Sequence, residues 1–160
     1  MTYIRPATVS DALYVANRLR FEDRREIEGL GHSPLTLVWV VETSTRSVAF
    51  YNTEGELSGL AGIYPDDNPR VGQIWMVCTP AIEKSPVTFV RQAKQWLAEV
   101  GKDYDLLWNM MDFRNKMHHK LVKMLGFKSL RYVPMAPYNI PYIEIVKPCV
   151  SSPDPLQPQP

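Results

Sequence analysis

Residues 105–127, DLLWNMMDFRNKMHHKLVKMLGF, constrain the fold more than any other stretch of this chain. Residues 105–111 are mostly apolar and read as a buried strand. A short turn leads to Asn115, a residue type that caps helices well. Met117, Leu121, Met124 and Leu125 then fall on one face at helical spacing. The helix stops at Leu125-Gly126-Phe127, where glycine supplies the usual end signal. A buried strand feeding an amphipathic helix commits the chain to a sheet with helices packed on it.

The remaining elements follow the same logic. Residues 2–6 read as a short strand. Thr8-Val9-Ser10-Asp11 has the spacing of a capping box, and Ala12, Val15, Ala16 and Leu19 continue at helical period. That helix is expected to run on through RLRFEDRREIEGLG and end near Gly29 or Gly31. Pro34 opens a second helix to about Glu42. Residues 47–50 and 57–64 are strands joined by a hairpin at 52–55. Residues 73–79 carry no charge and form a central strand. Ser85-Pro86 starts a helix whose stripe is Phe89, Ala93, Trp96, Leu97 and Val100, ending at Gly101. Residues 127–133 and 142–146 complete a mixed sheet of six to seven strands with helices on both faces. The fold class is therefore mixed α/β.

One domain is expected over residues 1–147 of the 160. Residues 148–160 hold five of the 14 prolines and read as an extended tail. The formal charge of +1 gives no general attraction to nucleic acid. The start, MTYIRPATVSD, reads as neither a signal peptide nor a membrane anchor. Cys78 and Cys149 lack metal-ligand spacing and read as reduced thiols.

The element order, with Asn115 and Gly126-Phe127, resembles the GNAT superfamily of N-acetyltransferases over roughly residues 2–147. More narrowly, the chain is similar to small GNAT-like proteins of short-tailed bacteriophages, the internal virion protein A group. The residues behind this are Glu22-Asp23-Arg24-Arg25-Glu26, Gly31 with Pro34, Gly59 to Gly62, Trp75 with Thr79, Phe89 with Arg91, Leu107 with Asn109, and Asn115. The resemblance implies acetyl-CoA as cofactor. Its pantetheine arm would enter a gap between the fourth and fifth strands and pair with the backbone of Met76, Val77 and Cys78. Lys84 and Ser85, with Thr88 and Arg91, would meet the phosphates, and Asn115 would bond the arm or simply cap its helix.

Two departures from the family pattern point to weak or lost catalysis. The phosphate loop, residues 79–87, contains no glycine, sets Pro86 where an amide donor is wanted, and puts Glu83 where a phosphate would be repelled. Val122 stands where many family members carry a tyrosine acid.

Other candidates divide between chemistry and structure. His118 could relay a proton, yet His118 and His119 are adjacent on a helix, face different ways and form no ligand pair. No metal site is expected. Cys78 is an acyl acceptor or a small buried hydrophobe. Trp39, Trp75, Trp96 and Trp108 read as core, with Trp75 also able to wall a groove. The basic run Arg114, Lys116, Lys120, Lys123, Lys128 and Arg131 is a solvated face or a surface for phosphates or an acidic partner. Glu42, Glu54, Glu56, Asp66 and Asp67 lie near the expected groove, and none is assigned as a base.

Two functions remain open. In the first, a phage protein keeps the fold with catalysis weakened or lost, and acts in the virion or by binding a host protein during takeover. In the second, an active acetyl-CoA-dependent N-acetyltransferase modifies an amine of a host or phage target. Partners are expected to be host or phage proteins, and the location host cytoplasm or virion.

Overall fold

The computed structural model describes residues 3–149, so the expected tail beyond Cys149 lies outside the described residues. Strand β1 (Tyr3–Pro6) is followed by helices α1 (Val9–Ala16), α2 (Phe21–Gly29) and α3 (Thr36–Thr43). Strands β2 (Arg46–Tyr51), β3 (Leu57–Pro65) and β4 (Val71–Cys78) form a meander. A 3-10 turn (Pro80–Lys84) leads into α4 (Pro86–Gly101). Strand β5 (Leu106–Asp112), helix α5 (Lys116–Met124) and strands β6 (Lys128–Met135) and β7 (Ile140–Pro148) complete the chain. Among the described residues no helix is long and apolar enough to cross a membrane.

The capping box forms as expected. Thr8 accepts from the Asp11 amide, and the Asp11 carboxylate accepts from the Thr8 amide, an arrangement worth about 1 kcal/mol. The single long first helix does not form. It breaks at Asn17–Arg20 into α1 and α2. Local propensity loses here to a tertiary bond: Arg20 adopts an extended conformation and donates its backbone N–H to the Cys78 carbonyl (2.9 Å). The capture turns α2 across the sheet instead of letting it continue α1.

The sheet has seven strands in the order β1-β2-β3-β4-β5-β7-β6. Its apolar layers sit on both faces. Ala12, Val15, Leu37 and Val41 of α1 and α3 pack on Ala49, Leu60 and Val77. On the other face Phe89, Leu97 and Val100 of α4 and Leu121 of α5 pack on Phe50, Ala61, Ile63, Leu107 and Ile145. Leu125-Gly126-Phe127 closes α5 as expected. Gly126 takes φ +94°, and the Phe127 amide returns to the Val122 carbonyl (2.9 Å).

The feature that matters for function is the parallel pair β4–β5. Only Val71–Gln73 pair with Leu106–Trp108. Beyond Gln73 the strands diverge, because β4 stays on β3 up to Cys78 and β5 stays on β7 up to Asp112.

Candidate functional site

The divergence of β4 and β5 makes a cleft, and α2 lies across it. Backbone groups on a strand alternate sides. The Cys78 amide turns into the cleft, so that of Met76 does too, whereas Val77, opposite Leu60, is directed to β3. Val77 therefore has no backbone group to offer a ligand in the cleft.

The chain itself occupies the Cys78 end of the cleft. The Cys78 N–H donates to Asp23 Oδ2 (2.8 Å), and its carbonyl accepts from Arg20. Across the cleft, the Asp112 N–H donates to Glu26 Oε1 (3.1 Å). The Met110 N–H donates to Asn109 Oδ1 (2.8 Å), which also accepts from Gln73 Nε2 at the fork (3.2 Å). Asn115 ties the two acids together, donating from Nδ2 to Asp23 Oδ1 (3.0 Å) and Glu26 Oε2 (2.8 Å). It sits at the N-cap position of α5 and makes no side-chain cap bond. The capping role expected of its side chain is thus replaced by a bridge between two carboxylates.

Burial governs the electrostatics. Asp23 is 1% exposed, Asn115 0% and His118 2%. Burial lifts the Glu26 carboxyl to about 7, against the opposing pull of the Asn115 and Asp112 hydrogen bonds. Burial likewise lowers His118, while Asp23 pulls it up. The Cys78 thiol is raised well above its ordinary value by burial and by Asp23. Burial also works to raise Asp112, but Arg114 wins: it donates from Nε (2.9 Å) and Nη2 (2.7 Å) and holds that carboxyl below the usual range.

Two cavities meet at the cleft. A largely apolar one of about 80 Å³ lies on the α4–α5 side, lined by Phe50, Trp96, Leu121 and Val122 among others. A larger one of about 380 Å³ lies on the α2–α3 side, beside Trp39, Tyr64 and Leu30. Glu26, Trp75, Met76 and Asn109 line both. Trp75 thus walls a groove while its Nε1 donates to Ser44 Oγ (2.9 Å). Trp39 is no core residue. It is exposed and stands at the rim against the Tyr64 ring.

Two of the four expected phosphate residues are spent within the protein. Lys84 donates to Glu56 Oε1 (2.8 Å) and Glu54 Oε2 (3.1 Å), and Ser85 Oγ bonds Thr53 Oγ1 (2.7 Å). Glu83 lies within 3.9 Å of Arg20. The first amides of α4 have no intrahelical partner, and Ser85 does not cap them, so an anion has two N–H groups there, with Thr88 and the exposed Arg91 on the same helix. Of the other acids near the groove, Asp66 accepts from Trp108 Nε1 (3.3 Å). Of the backbone groups that the resemblance offers to a pantetheine arm, those of Cys78 are bonded to Asp23 and Arg20 as folded.

Sequence reasoning singled out Cys78 and His118 separately, and the fold makes them neighbours of Asp23. It missed Arg20, Asp23 and Glu26 as cleft residues. A signal existed: Asp23 and Glu26 share a helix face with Ile27 and Leu30, which turns that face inward. The closest bonds they make are to residues 55 to 92 positions away, beyond any local pattern.

No family model matches the chain, and no curated protein matches it in sequence. Solved structures do. A chimera of spermidine N-acetyltransferase SpeG from Vibrio cholerae and hSSAT superposes with a TM-score of 0.68 at 10% identity, covering 92% of this chain and 95% of that one. A GNAT-family acetyltransferase from Streptococcus pneumoniae gives 0.62 at 15%, covering 92% and 99%. AAC(6')-Ib, in complex with ribostamycin and coenzyme A, gives 0.67 at 16%, covering 92% and 93%. The seven-stranded mixed sheet, its diverging central pair and these superpositions over nearly the whole of each chain establish that this protein has the fold of the GNAT acetyltransferases.

Proposed function

We propose that this chain is a GNAT-fold protein whose acyl-transfer chemistry is weakened or lost, and that it acts by binding a protein of a bacteriophage particle or of the host cell. One observation carries the loss of chemistry. The N–H and C=O of Cys78, which a pantetheine arm would use, are both bonded to α2. Two others support it: Val122 has no proton to give, and Lys84 is engaged by Glu54 and Glu56.

The binding role is supported by the outer edge of the sheet. β6 is the last strand in the sheet order, and Leu130, Tyr132 and Tyr138 stand exposed on or beside it. Apolar side chains along an edge strand make a surface on which other chains pair. The phage or host identity of the partner rests on the resemblance carried by residues 22–26 and the glycines and tryptophans named above.

The test has two arms. Acetyl-CoA at about 1 mM is expected to leave Tm unchanged. A ligand at a hundred times its Kd would add about 2.7 kcal/mol of stability, a shift of several degrees for a chain of this size. Affinity capture from phage-infected bacteria is expected to recover a defined partner without CoA. A saturable rise in Tm together with no partner overturns the proposal.

One observation favours the active N-acetyltransferase instead. Glu26 lines both cavities and titrates near 7, the range suited to a general base at neutral pH. This reading requires Asp23 and Arg20 to release the Cys78 backbone while Glu26 stays in the cleft, and the same acetyl-CoA titration decides it.

A further inference from the structure

The cleft holds one cluster that neither reading uses. Asp23 of α2, Cys78 of β4 and His118 of α5 bring a carboxylate oxygen, a sulfur and an imidazole nitrogen within 4.8 Å of one another. All three residues are buried. His118 Nε2 is 3.3 Å from Asp23 Oδ1 but lacks the geometry of a hydrogen bond and has no other partner. Asn115 Oδ1, bonded through its own amide to Asp23, is likewise without a partner. An orphaned buried nitrogen costs roughly 1–3 kcal/mol, and two orphans in one cluster call for an explanation.

The spacing supplies one. A tetrahedral ion with ligand bonds of about 2.0–2.3 Å holds its ligands roughly 3.3–3.8 Å apart. The His118–Asp23 separation matches that edge, which is long for a hydrogen bond. One sulfur, one imidazole and one carboxylate are a donor set for zinc, and harder ions such as magnesium and calcium prefer all-oxygen shells. We propose that Asp23, Cys78 and His118 form a binding site for a divalent metal ion of the zinc class, which fastens α2, β4 and α5 together.

The charges balance. A thiolate and a carboxylate offset a dication, and the buried Arg20 guanidinium beside Asp23 (3.4 Å) is offset by Glu22 (3.2 Å), so the site carries little net charge. Burial favours the neutral form of His118, which is the form that ligates. The Cys78 thiol gives its proton to solvent when the metal binds, as coordinating thiols do. No redox step is involved. Asn115 Oδ1 or a water is available for a fourth position.

Cobalt(II) is the probe, added to the chelator-treated full chain. One equivalent is expected to bind, with the thiolate-to-cobalt charge-transfer band in the near ultraviolet and the visible bands of a tetrahedral ion. Zinc is expected to displace it and raise Tm. Cys78→Ser is expected to abolish the charge-transfer band. His118→Gln is expected to weaken binding by more than the ~10- to 100-fold that outer partners of a metal ligand are worth. Cys149→Ser, which changes the other thiol, is expected to keep the full signal. If the unsubstituted chain gives no band, or the band survives in Cys78→Ser and disappears in Cys149→Ser, the site does not exist. The wild-type spectrum decides even where a variant fails to fold, and its outcome is separate from that of the acetyl-CoA titration.

Discussion

Glu26 carries a carboxylate that the fold largely shields from solvent. Burial raises it from 4.5 to about 7, and two hydrogen bonds limit the rise. An acid whose folded-state pKa is raised binds its proton more tightly when folded. Its contribution is therefore fully present below about pH 4.5 and is lost as pH rises through about 7. The loss is on the order of 3 kcal/mol if the unfolded carboxyl is ordinary. Stability is expected to fall across that window, and Glu26→Gln is expected to flatten the fall. Urea midpoints measured at several pH values check this, and equal slopes in wild type and variant would refute it. Asn115 shows why such residues escape sequence reading. Asparagine before a helix is among the preferred caps, and its actual partners, Asp23 and Glu26, lie 92 and 89 residues away.

At the scale of elements, what was legible depended on whether local signals faced tertiary competition. The end of α5 did not. Gly126 sits at φ +94°, a region that costs other residues roughly 1–2 kcal/mol, and the Leu-Gly-Phe signal alone located it. Gly126→Ala is expected to lower stability by at least that amount. Its would-be Cβ lies 2.6 Å from Lys147 Nζ, which donates to the Leu125 carbonyl (3.0 Å), so disturbing that bond adds to the loss. Chemical denaturation measures it, and an unchanged midpoint would mean that the left-handed turn is not needed. The α1–α2 break is the opposite case. Leu19 continues the apolar period of α1, and a charged run follows, so nothing local says stop. The Arg20–Cys78 backbone bond stops it, and that contact is the one that closes the cleft. The strands were legible from their apolar runs. The cleft was legible as a place, through the family resemblance, while its contents were not.

At the scale of the whole molecule, the question is whether α2 stays in the cleft. A gap between two strands ordinarily leaves edge amides facing water, and such amides exchange quickly. Here the Cys78 and Asp112 amides end on carboxylates carried by α2, and both residues are fully buried. Exchange at these two positions therefore reports the docking of α2 as a unit, since neither amide has another acceptor in the sheet. Their protection is expected to approach that of Leu60 and Ile63 in the central strand, and both are expected to weaken together in Asp23→Ala, which removes one acceptor and unties Asn115. Amide exchange followed by NMR resolves them individually. Exchange at Cys78 and Asp112 as fast as in the loop at Asn68 would mean that α2 leaves often and that the cleft opens to ligands, with Glu26 carried out of it on the same helix. Slow exchange keeps the cleft closed and leaves function to the outer surface of the sheet.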